Sequence, residues 1–94
     1  MLTHKIADDA QPRLAPGVRL QIDHATGKGV LLFPEGIVEL NETSQEILAR
    51  CDGRRLSDLI LALAQEYDVD PVTLAADVCE TLADLQRRKL VELA

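Results

Sequence analysis

The chain has 94 residues, a formal net charge of −6, 47% apolar residues and only 2% aromatic ones. That length makes one domain with one modest core and no interior to spare for a large cofactor, and a core so short of aromatics must be built from Leu, Val, Ile and Ala. Basic and acidic groups number four and six over residues 1–42, and six and ten over 43–94, so neither half is a basic arm and long-range attraction to phosphate backbones or anionic lipid is excluded.

No stretch approaches a membrane span, and the N-terminus lacks a signal peptide's apolar run, so a cytoplasmic location is expected. Residues 1–17 read as an extended arm: Asp8, Asp9, Gln11, Pro12, Pro16 and Gly17 interrupt any periodic pattern. The domain proper is expected over 18–94.

Val18, Leu20 and Ile22 alternate with Arg19, Gln21 and Asp23, the pattern of a strand with one buried face. His24 to Lys28 is a turn. Val30 to Phe33 is continuously apolar, as in the middle strand of a sheet. Pro34 and Gly36 make a tight turn into a third strand, Ile37 to Leu40.

The first helix is expected to start near Thr43, with Thr43 and Glu46 as a capping box and Gly53 as a left-handed stop. The second begins at Ser57, with Leu56 and Leu61 placed for a hydrophobic staple, and carries the stripe Leu59, Ile60, Leu63, Ala64 and Tyr67. The third has Asp70 as N-cap and Pro71 at its first position, with Leu74, Val78, Leu82 and Leu85 at helical spacing and Arg87, Arg88 and Lys89 at its end. Leu90 to Leu93 adds a short last strand. The expected class is α+β: a small three-stranded antiparallel sheet followed by three helices, in an order like that of a winged helix-turn-helix.

Chemistry is sparse. Thr26-Gly27-Lys28-Gly29 lacks the earlier glycine and the following Ser/Thr of a phosphate loop, and it sits in a hairpin. His4 and His24 have no second ligand or carboxylate at a telling spacing, Glu66, Asp68 and Asp70 read as a solvated helix connection, and Tyr67 reads as a core-edge residue. Cys51 and Cys79 fall on apolar helical faces without a CxxC motif. No hydrolase triad can be assembled, and no metal, cofactor or catalytic residue is expected. DNA binding is disfavoured because the third helix presents Asp77, Glu80 and Asp84 where phosphates would approach.

A free strand edge is the remaining device. Ile37-Val38-Glu39-Leu40 carries one charge and no proline. It is either a template for an added strand or an ordinary edge blunted by Glu39 and shielded by a helix.

The run from Pro12 to Leu20, then Leu32-Phe33-Pro34-Glu35-Gly36 continuing into Val38-Glu39-Leu40-Asn41, resembles the PqqD family of pyrroloquinoline quinone biosynthesis. The later segments Ile47-Leu48, Cys51-Asp52-Gly53, Tyr67-Asp68-Val69 and Asp77-Val78 resemble the wider class of peptide-recognition domains of modified-peptide pathways. The resemblance implies a non-catalytic peptide chaperone that binds the precursor peptide PqqA. It would present that peptide to the radical S-adenosylmethionine (SAM) enzyme PqqE, which cross-links a Glu and a Tyr of the peptide. It also implies that the guest adds a strand beside Ile37, Val38, Glu39 and Leu40 and faces Val78, Leu82 and Leu85. Two alternatives stay open: an enzyme subunit or small hydrolase, which would need a cleft of perturbed acids, and a structural adaptor whose arm swaps onto a neighbour to give a homodimer.

Overall fold

A computed structural model of the chain describes residues 6–94. The elements are β1 (Pro12–Leu14), β2 (Arg19–Ile22), β3 (Gly29–Phe33), β4 (Gly36–Glu39), α1 (Glu42–Ala49), α2 (Leu56–Tyr67), α3 (Pro71–Arg87) and β5 (Val91–Leu93). The order β2-β3-β4 forms an antiparallel three-stranded sheet, and β1 pairs with β5 in a separate antiparallel ribbon. The fold is α+β, a small antiparallel sheet with three helices, as the periodicities predict.

The sheet follows from its sequence. β3 is apolar throughout because it is the middle strand, and Leu31 at its centre is fully buried. Its partners across the sheet are Leu20 and Val38, so these three residues share the inner face. Gln21, Val30 and Glu39 form one row of the opposite face, and Arg19, Leu32 and Ile37 form the next. Ile22, expected inside, pairs with Gly29 at the sheet's far end and is exposed.

Leu31 joins Ile47 and Leu48 of α1, Leu56, Leu59, Ile60 and Leu63 of α2, Val78, Leu82 and Leu85 of α3, and Leu90 and Val91 in one core. α3 starts as its sequence dictates: Asp70 Oδ1 accepts from the Val72 N–H at 3.0 Å, and Pro71 needs no donor there. Two residues past its end, Lys89 adopts φ +62°, while the Leu90 N–H reaches back to the Leu85 carbonyl at 2.9 Å.

Three boundary expectations are corrected. α1 starts before Thr43, at Glu42. Its cap is Asn41, whose Oδ1 accepts from the Ser44 N–H at 2.7 Å. The ladder explains this: the Leu40 N–H still bonds to Gly29 at 3.0 Å, so strand passes to helix within one residue and Asn41 falls at the cap.

α1 also stops at Ala49 and not at Gly53. The chain leaves the helix at Arg50 so that Asp52 can form a backbone bridge with Arg13, and Gly53, at φ +98°, serves the loop beyond. Finally, Leu56 is the first residue of α2 and fully buried while Leu61 faces solvent, so the two form no staple.

The start of α2 has no side-chain cap. Its Leu56 and Ser57 N–H groups bond instead to the carbonyls of Ala10 (2.7 Å) and Asp8 (3.0 Å). The segment read as an arm thus supplies acceptors for two orphan donors. It then continues as β1, whose Pro12 is buried between Gln11, bonded both ways with Ala94, and Arg13. Residues 8–14 are therefore tied to their own chain. The expectation for the arm before residue 6, His4 included, lies outside the described residues.

Candidate functional site

β4 is an outer strand of its sheet, and among the described residues no strand pairs with its far side. The antiparallel ladder alternates, so each residue's N–H and C=O point together either toward β3 or away from it. The Leu40 N–H points to Gly29, which fixes the parity: Val38 and Leu40 turn their backbone groups inward. Ile37 and Glu39 turn theirs outward, and these two residues are the open backbone margin.

Side chains divide along the same alternation. Val38 and Leu40 are half-buried against the core. Ile37 is 65% exposed, far more than an apolar strand residue usually is. Glu39 is exposed and makes no ion pair among the described residues. The Pro34–Glu35 turn joins β3 to β4 with two residues, which pins the register and so the parity.

The helical half of the expected site lies elsewhere. Val78 and Leu82 have no exposed surface and Leu85 only 4%, because these three residues are the stripe that packs α3 onto the core. In this conformation the core covers them, whereas the resemblance implies that they face a guest. The outward side of α3 instead contributes Glu80, Thr81, Ala83, Asp84 and Arg87 to a shallow cleft of about 480 Å³, with Ser44 of α1 on its other wall. Helical spacing named the apolar stripe of α3 correctly but could not say that the core buries Val78, Leu82 and Leu85 and leaves Leu74 half-buried.

The remaining reactive groups have structural duties. The Cys51 thiol lies 3.3 Å from the Ile47 carbonyl, and burial, with help from Asp52 and against Arg54, pushes it up to about 12. Burial also raises the Cys79 thiol. Both cysteines are free, and neither is poised as a nucleophile. Hydrogen bonds from Arg54 hold the Asp52 carboxyl at about 2. Arg50 bridges Glu46 and Glu66, and Asp70 caps α3.

Among the described residues no group of three or more His, Cys, Asp and Glu is placed to hold a metal ion, and no helix is long and apolar enough to cross a membrane. At the end of α3, Arg87 and Arg88 both pair with Asp84, and Asp77 and Glu80 are exposed, so the helix offers no cationic face to a phosphate.

Comparison with known proteins identifies the family. Residues 28–91 match the family described as coenzyme PQQ synthesis protein D (PqqD). A protein of Xanthomonas oryzae pv. oryzae named PqqA binding protein is 45% identical over 94% of this chain and 97% of its own. The bifunctional coenzyme PQQ synthesis protein C/D of Methylorubrum extorquens is 39% identical over 86% of this chain and 22% of its own.

The solution NMR structure of the PqqD truncation of Methylobacterium extorquens PqqCD superposes with a TM-score of 0.79. It is 36% identical and covers 95% of this chain and 96% of that one; it is described as a functional, stand-alone recognition element for ribosomally synthesized and post-translationally modified peptides. With the family model, the fold and the near full-length matches in agreement, the chain belongs to the PqqD family.

Proposed function

We propose that this protein is a non-catalytic peptide chaperone that binds the precursor peptide PqqA and presents it to the radical SAM enzyme PqqE in pyrroloquinoline quinone biosynthesis. The peptide adds as a strand along β4, bonding to the outward backbone groups of Ile37 and Glu39, while Val38 and Leu40 hold the edge to the core. The observation that carries the reading is the open margin of β4, set by the inward Leu40–Gly29 bond. The relatives named PqqA binding protein and the neighbour described as a recognition element support it.

Magnitudes fit such a role. Two outward residues offer up to four backbone hydrogen bonds at ~1 kcal/mol each. Burying Ile37 and one or two guest side chains adds ~3–6 kcal/mol. Ordering a flexible peptide costs ~2–5 kcal/mol. The balance is about 2–8 kcal/mol, a complex of roughly millimolar to micromolar strength, loose enough to release its peptide.

Calorimetric titration of PqqA into the protein, alone and with PqqE present, tests this together with a proline scan. Proline removes one N–H. Ile37→Pro and Glu39→Pro remove outward donors and should weaken PqqA binding with little change in thermal midpoint. Val38→Pro removes a ladder bond to β3 and should damage the fold itself. Three neighbouring prolines behaving alike would refute the edge, and failure to form a ternary complex with PqqE would refute presentation.

A further inference from the structure

Glu39 is a charge without an assigned duty. It stands on the outer face of the sheet, in a row with Val30 and Gln21, and no cation pairs with it among the described residues. Just past it, where β4 passes to α1, the surface opens into a cleft of about 540 Å³ whose lining includes Glu39, Glu42 and Glu46 against a single cation, Lys28. On the same outer face, two residues earlier, Ile37 is 65% exposed.

A strand added along this edge would meet both side chains. Ile37 and Glu39 are the residues whose backbone faces outward, so the guest residues paired with them also stand on the outer face, two positions apart. Directly opposed residues in antiparallel strands bring their Cβ atoms to about 5 Å, close enough for side chains to select one another. Ile37 favours an apolar neighbour, Glu39 a cation, and an acidic guest residue at that place would meet Glu39 and the carboxylates of the cleft.

We infer that Glu39 is a specificity-determining residue of the docking edge, selecting a guest segment that carries an arginine or lysine two positions from an apolar residue on the sheet's outer face. The inference rests on the proposed docking along β4 and adds the chemistry of what docks. The competing duty for Glu39 is to blunt the edge against self-association, in which case it would not discriminate among guests.

A charge-swap cycle separates the two. PqqA peptides in which each Lys or Arg is changed singly to Glu are titrated into the wild type and into Glu39→Lys, with circular dichroism confirming that each variant is folded. One peptide substitution should weaken binding to the wild type about three- to tenfold and regain most of that loss against Glu39→Lys. Glu39→Gln should weaken the native peptide by a smaller factor. If every peptide loses the same factor against both proteins, the inference is overturned. Should that happen while Ile37→Pro and Glu39→Pro still weaken binding, the docking edge stands and only the selection by Glu39 falls. If the prolines have no effect either, both fall together.

Discussion

Cys51 shows how a single buried side chain can make stability depend on pH. Its thiol ionises near 9.0 when unconstrained and at about 12 in the folded chain, chiefly because burial disfavours the thiolate. A folded value raised above the unfolded one gives stability that is complete below pH 9 and declines from there toward pH 12, since only the unfolded chain ionises in that window. The loss approaches roughly 1.4 kcal/mol per pH unit for one group. Urea midpoints measured at intervals from pH 8 to 11 should therefore fall more steeply for the wild type than for Cys51→Ala. Parallel curves would show that this thiol does not couple to folding.

Residues of this kind were partly legible beforehand. The two cysteines read correctly as buried thiols, but Cys51 lies just past the end of α1 and not on a helical face. The cap of α1 did not: Thr43 and Glu46 have the spacing of a capping box, but the strand bond at Leu40 places the cap at Asn41, and spacing alone carries no record of where a strand ends.

At the scale of elements, α3 divides into an inner stripe and an outer wall, and the two should respond differently to mutation. Leu82 is fully buried in the core, so Leu82→Ala should cost ~2–5 kcal/mol of stability. Below its new thermal midpoint the folded protein should bind PqqA as the wild type does. A loss of affinity with little loss of stability would return Leu82 to the docking surface.

The hairpin β3–β4 was legible because a two-residue turn and alternating apolar residues leave one register. The start of α2 was not legible. Its donors are satisfied by Asp8 and Ala10, carbonyls that any residue type could supply, so no side-chain signature marked them. For the same reason the ribbon of β1 and β5 escaped notice as a pair. Its last strand was expected, but its partner lay in a segment read as an arm.

Across the whole molecule, the sheet edge, the core and the charges fit a protein that holds a partner. The core takes the inner face of every element, and the described residues gather no metal-binding group and no activated nucleophile. On β4 the fold leaves open a stretch of backbone with an apolar and an acidic side chain beside it. The three-stranded sheet and the order of helices followed from periodicity. Which backbone groups stay open required the ladder's parity, which the bond between Leu40 and Gly29 reveals.

Amide hydrogen exchange of β4, followed by NMR with and without saturating PqqA, tests this most directly. The Ile37 and Glu39 amides should exchange about tenfold more slowly or better once the peptide is bound, while Val38 and Leu40, already bonded to β3, change little. Unaltered exchange at Ile37 and Glu39 in the peptide-bound protein would contradict docking on this edge.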